Sequence, residues 1–377
     1  MRRFFSAIFV VTSFLVAVAL NPAAAPALPA SPASSGPVGE ADFIPGGNSQ
    51  ARLSPEPCPG FVEDRFNSCY SGVATGDWGS GPVVPTKCYM DTKFIIRSQV
   101  NSQIVTVKVI GSNARFQGPD APTKGRFKFE LSLKDPISPT PLRVKTIQPI
   151  EIKYEDASVG PVTVERSVSP DLATSADQKY ELRLKTSVKA DLPEGVWGPP
   201  TLEKNLQLGL RCDQDKPGDD NLFRFRYGPE SKGCVNAGYW PTVVFPLDSY
   251  PYIGDNVLSA QAAGSPGAPG APGETVPLHR AVGTQVNANR NASCQNPSRV
   301  FAEIGERPLP TAEVSAWECD EYPFASAIEG GALARMKWVP AAENSGSQGT
   351  VLREFYVNYR VLANDPFLVG TVTCDVC

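Results

Sequence analysis

The chain has 377 residues, enough for two domains that each bury a core, and a formal net charge of −4. That charge leaves no basic footprint of the kind that carries sequence-independent nucleic-acid binding. A single histidine in the whole chain and no Gly-x-Ser-x-Gly give a serine hydrolase little support.

Arg2-Arg3, the apolar core from Phe4 to Leu20 and the small residues of Pro22-Ala23-Ala24-Ala25 read as a secretory signal peptide within residues 1–30. The apolar run is near the lower limit for a membrane span, so export with no stable membrane insertion after cleavage is expected. Residues 31–57, rich in Pro, Ala, Ser and Gly, read as a flexible linker. All nine cysteines lie beyond the signal, as disulfides in an oxidising compartment require. A cysteine hydrolase, which needs a free thiol, is disfavoured by the same context. Spacing alone fixes no connectivity. Cys294 and Cys319 bracket the approach to an acidic motif, which makes Cys294–Cys319 the preferred pair, with Cys212–Cys234 closing a loop upstream. The C-x-x-C of Cys374 and Cys377 lacks a second Cys or His pair and is weak as a zinc site.

Residues 58–227 read as an all-β domain, sandwich or barrel-like. Short runs with apolar alternation or β-branched enrichment stand at 93–97, 104–110, 126–131, 180–185 and 206–210, separated by Gly, Pro, Asn and Asp clusters. No catalytic constellation is visible in this half, and its role is not readable. Residues 228–377 read as a second, α+β domain. A short helix is expected over 251–261. The Gly-Pro triplets from Gly264 to Gly273 are too few for a collagen helix and suit an extended loop inside this domain. A strand over 314–322 and a second over 334–339 precede a turn at Asn344-Ser345-Gly346-Ser347. From Gln348 to Leu362, Leu352, Phe355, Tyr356 and Tyr359 follow the i, i+3, i+4, i+7 pattern of an amphipathic helix. Glu354 and Asn358, four apart, share another face of it.

The chain is organised around Cys319-Asp320-Glu321-Tyr322-Pro323-Phe324-Ala325-Ser326, followed by Glu329-Gly330-Gly331. Two adjacent acids beside a cysteine suit cation binding or activation of water; the structural alternative is a turn anchored by a disulfide. This run resembles the central motif of secreted deoxyribonucleases of the NucA/NucB type. Asn344, Gln348-Gly349, Leu352 and Phe355-Tyr356 fall where that family has its second block, and Gly233-Cys234-Val235 and Leu278-His279-Arg280 resemble flanking segments of its longer members. The resemblance implies a ββα-metal-type nuclease core and a metal-dependent endonuclease with DNA as substrate. Nucleases of that architecture usually take a histidine as base. Here the resemblance makes Asp320 the base, with Glu321 tuning it by like-charge proximity, and Glu329 and Asn344 completing the catalytic set around the cation. Glu354, with Asn358, would be the metal ligand on the helix, and magnesium or manganese suits such oxygen donors. Arg335, Lys337 and Gln348 are the candidate substrate contacts. His279 is read as a structural hydrogen-bonding residue. The competing reading is a non-catalytic secreted binding or structural protein that keeps a decayed nuclease domain. Protein partners are not readable.

Overall fold

The computed structural model describes residues 56–58, 64–78, 86–117, 125–134, 148–169, 181–189, 204–208, 210–214, 222–227, 231–270 and 275–373. The signal peptide, most of the linker and Cys374 and Cys377 lie outside the described residues. Among the described residues no helix is long and apolar enough to cross a membrane.

The N-terminal half contains β1 (Glu56–Pro57), β2 (Asn67–Trp78), β3 (Thr86–Gln99), β4 (Ser102–Gln117), β5 (Arg126–Lys134), β6 (Ile150–Lys153), helix α1 (Tyr154–Val159), β7 (Val162–Val168), β8 (Glu181–Lys189), β9 (Lys204–Leu208), β10 (Leu210–Gln214) and helix α2 (Leu222–Tyr227). One antiparallel sheet runs β1-β2-β3-β4-β7 and a second runs β6-β5-β8-β9. Neither closes into a barrel among the described residues, so the barrel-like expectation is replaced by open sheets. The linker expected to reach residue 57 ends in a strand, because Glu56 and Pro57 pair with Ser71 and Tyr70. In β4 the side chains alternate as a pleated strand requires: Val105, Val107 and Val109 are buried. They share one core with Met90, Phe94, Ile96, Phe127, Phe129, Ile150 and Ile152 from both sheets.

The chain continues with β11 (Lys232–Asn236), β12 (Thr242–Pro246), helix α3 (Pro251–Ala262), β13 (Leu278–His279), helices α4 (Thr284–Ala292) and α5 (Pro297–Ile304), β14 (Trp317–Tyr322), β15 (Arg335–Pro340), helix α6 (Gly349–Asn358) and β16 (Pro366–Val372). Strand β11 pairs antiparallel with β10, and Cys212 and Cys234 face each other in that register and are joined. A mixed sheet runs β12-β16-β13, with β12 parallel and β13 antiparallel to the central β16. Strands β14 and β15 form an antiparallel hairpin. A second core of Phe245, Ile253, Val257, Leu278, Tyr322, Phe324, Leu352, Phe355, Tyr356 and Phe367 fills the space between sheet, hairpin and helices.

The Gly-Pro stretch is an ordered loop where it is described. Gly267 donates to Val276 O at 2.7 Å and accepts from Val369 N at 2.8 Å, which fastens it to β16. Its φ of +104° and the position of the Tyr322 hydroxyl, 2.4 Å from where a Cβ would stand, both require glycine.

Candidate active site

Strand β14 presents Asp320 and Glu321 to opposite sides, as adjacent strand residues must be. Asp320 points inward and is 3% exposed. Its Oδ2 accepts from Asn256 Nδ2 of α3 at 2.8 Å and its Oδ1 from Gln348 Nε2, just before α6, at 3.0 Å. Burial pushes the Asp320 carboxyl up to about 6; the two amides and the backbone N–H of Glu321 pull it back, and Glu343 adds a further upward push. Glu321 is half-buried on the other side. Burial first, and the charge of Asp320 second, push it up to about 7 against the pull of Arg290 on α4 and the N–H of Ala325. Asp320 and Glu321 each disfavour the other's charge, and Glu343 adds a like-charge push on Asp320.

Asn256 is a residue the sequence reading missed. It lies in the buried stripe of α3 beside Ile253, Val257 and Ala260. A polar side chain at an i+3 position of an otherwise apolar face was the available signal, since a buried amide demands a partner. Glu343 caps the start of the same helix, accepting from Tyr252 N and Ile253 N, each at 3.1 Å. Lys337, the cross-strand partner of Asp320, is ion-paired with Asp255 of α3.

The segment after β14 is held by helices α4 and α5, for which the sequence analysis has no counterpart. Asn289 of α4 donates to Ala325 O at 3.0 Å and Ala327 O at 2.7 Å. Arg299 of α5 donates to Gly331 O at 2.8 Å and Ala334 O at 2.5 Å. Cys294, in the turn between those helices, is joined to Cys319 of β14. Three independent ties thus fix the acidic strand and its turn against α4 and α5.

Residues 273–370 match the family model for deoxyribonuclease NucA/NucB. This C-terminal stretch is a NucA/NucB-family domain. Family membership indicates nuclease activity with DNA as substrate. No curated protein matches the chain. The matched stretch begins after Gly233-Cys234-Val235, which belongs to β11 and the N-terminal core.

Within the NucA/NucB domain the remaining candidates fall into separate places. Glu329 is bound to His279: its Oε2 accepts from the His279 backbone N–H at 2.9 Å and its Oε1 stands 2.7 Å from Nδ1. Asn344 donates to Cys319 O at 3.1 Å and so secures β14. Gln348 contacts Asp320, as given above, and is buried. Arg335 is exposed on β15. Glu354 and Asn358 are exposed on α6, while Leu352, Phe355 and Tyr356 face the core. Among the described residues no group of three or more His, Cys, Asp or Glu side chains is arranged to hold a metal ion. Glu354 and Asn358 supply two oxygen donors one helical turn apart. A cation held by those two donors alone would have to be a hard one that keeps most of its water.

Proposed function

We propose that the protein is a secreted, metal-dependent endonuclease that hydrolyses DNA phosphodiester bonds, with Asp320 as general base. One observation carries this reading: in a NucA/NucB-family domain, the first acid of the central motif is buried, aimed by two amides and raised to about 6. A general base works best when its pKa lies near the operating pH. The Asn256 and Gln348 amides and the backbone N–H of Glu321 take three of the four lone-pair sites of the Asp320 carboxylate, which leaves one for water. Asn256 and Gln348 fix the direction of that lone pair, so the water is oriented without a histidine. Glu354 and Asn358 would hold the divalent cation, which when bound supplies charge stabilisation at the phosphorane and the leaving oxygen. Arg335 would contact phosphate. The ββα-metal description of the core is supported by the β14–β15 hairpin followed by α6.

Export is supported by the N-terminal sequence and by the disulfides Cys58–Cys69, Cys212–Cys234 and Cys294–Cys319. The test is a plasmid-nicking assay on the exported protein with and without EDTA and with added manganese. Nicking that EDTA abolishes and manganese restores is expected; no nicking under any of these conditions would sink the reading.

A further inference from the structure

The mechanism above leaves the only histidine of the chain without a role, although the fold takes unusual care of it. His279 ends β13, paired with Pro366 of β16, and its carbonyl accepts from Ile328 N at 2.8 Å. Glu329 grips it at two points, backbone N–H and ring Nδ1. Both oxygens of Glu329 are thereby committed to one residue. The glycines that follow are what allow this placement. A Cβ on Gly330 would stand 2.4 Å from Phe324 O, and Gly331 has φ of +79° with a Cβ position 2.9 Å from Asn289 Oδ1. The Glu-Gly-Gly run is thus a tight turn that presents a carboxylate to the histidine.

A carboxylate on Nδ1 selects the tautomer in which that nitrogen carries the proton, so Nε2 is the atom that exchanges protons with the surroundings. The His279 side chain is 40% exposed while that of Glu329 is 25% exposed, so the ring is reachable and its positioning group is set behind it. The next residue ties this strand to the helix that carries Glu354. Arg280 is buried with its guanidinium 4.8 Å from the Tyr356 ring centroid, and the Tyr356 hydroxyl meets Ser326 Oγ at 2.9 Å. Tyr356 is two residues beyond Glu354 on α6. Tyr356 is buried on the core face of α6 and Glu354 is exposed on another face, so this contact packs β13 on that helix and leaves the Glu354 side open.

We propose that His279, positioned by Glu329, is the general acid that protonates the leaving oxygen in phosphodiester hydrolysis; this rests on the nuclease reading. Asp320 removes a proton from water, the water oxygen bonds to phosphorus, the bond from phosphorus to the leaving oxygen breaks, and that oxygen takes the proton from Nε2. His279 is left neutral and regains its proton from solvent.

A general acid matters only when the leaving group needs a proton, and this property separates it from a structural or binding residue. His279→Gln and Asp320→Asn are compared with wild type on plasmid DNA and on a p-nitrophenyl phosphodiester of thymidine, whose phenolate leaves unprotonated. His279→Gln is expected to lose about 10²-fold on DNA and to stay within about threefold of wild type on the nitrophenyl ester. Asp320→Asn should fall on both substrates. Glu329→Gln, which keeps the size of the positioning group, should show the same selectivity with a smaller loss, and it serves as the test if His279→Gln melts early. Wild-type activity on DNA with an unaffected His279→Gln overturns the acid alone, as does an equal loss on both substrates by a variant with wild-type thermal stability. A wild type that cleaves neither substrate overturns the nuclease reading and this inference with it.

Discussion

A buried carboxylate with a raised pKa makes opposite contributions to catalysis and to stability, and Asp320 exposes both. Its carboxyl lies at about 6 against an ordinary 3.8. A group raised in the folded state stabilises that state fully below its unfolded pKa, and the contribution is lost as pH climbs through the folded value. The difference of roughly two units corresponds to about 3 kcal/mol. Asp320→Asn cannot titrate. Its stability relative to wild type should therefore rise by about 3 kcal/mol between roughly pH 4 and pH 8, while turnover on DNA falls by about two to four orders of magnitude. Urea melts at several pH values check the first, and a difference that does not change with pH would reject the raised pKa. The activity of wild type should decline on the acid side as pH drops through about 6, where the base is protonated. Glu354→Gln should instead weaken metal affinity and be partly rescued by excess manganese, because a ligand's loss is offset by mass action and a base's is not. No rescue at any manganese concentration would remove Glu354 from the cation site.

At the scale of elements, what was legible in the sequence was whatever has a period or a motif. Helix α6, helix α3 and the strands β3, β4, β5, β14 and β15 show their apolar alternation or stripe directly. Helices α4 and α5 do not. Thr284–Ala292 buries only Asn289 and has no apolar face to read, while Pro297–Ile304 carries Val300, Phe301 and Ile304 on one side but spans only two turns and buries none of them fully; both are held through polar side chains, Asn289 and Arg299, that reach backbone carbonyls of the motif turn. The same limit applies to the site. The motif carried Asp320, but Asn256 is 64 residues away in sequence and only the packing of α3 on the hairpin brings it there. The pairing of Glu329 with His279, 50 residues apart, is hidden for the same reason. Composition predicts an extended loop over Gly264–Gly273, whereas among its described residues Gly267 lies under the Tyr322 hydroxyl, which also donates to Pro266 O at 2.9 Å and accepts from Gln261 Nε2 at 2.8 Å. Gly267→Ala should displace that hydroxyl and strain the backbone at once, costing about 1–3 kcal/mol. Thermal melts of Gly267→Ala and Tyr322→Phe test this: the double variant should cost less than the sum, since the clash is with the hydroxyl that Phe lacks.

At the scale of the whole molecule, the N-terminal half and the C-terminal half are joined by a cluster of buried charges. Arg65, Arg211, Asp213, Arg360 and Asp365 are each at most 5% exposed. Arg65 bonds Asp365 at 2.8 Å, Arg211 bridges Asp365 and Asp213, and Arg360 holds Asp213 through Nε at 3.0 Å. Arg65, Arg211 and Asp213 precede residue 228, whereas Arg360 and Asp365 follow α6 and flank the turn into β16. Gly233 of β11 makes room for this, since a Cβ there would stand 2.5 Å from Arg360 Nε. Burial alone would raise Asp365, but Arg211 and Arg65 beside it hold it below the ordinary carboxylate range. Asp365 also positions the site strand: its carbonyl accepts from Arg280 N at 3.0 Å. Removing one partner of a buried ion pair leaves an uncompensated charge and costs about 3–5 kcal/mol. A fragment spanning residues 228–377 loses Arg65, Arg211 and Asp213 together, along with the β10 partner of β11 and the Cys212–Cys234 link, so it is expected not to fold. Asp365→Asn in the full chain should be destabilised by about 3–5 kcal/mol, and its remaining nicking activity should fall with the folded fraction. In wild type the stabilisation from Asp365 should be present above its unfolded pKa and fade as pH falls through the lowered folded value. Circular dichroism melts and plasmid nicking by the fragment decide the matter: cooperative unfolding with activity comparable to the full chain would show two separable domains, with the buried charges contributing nothing that the nuclease half requires.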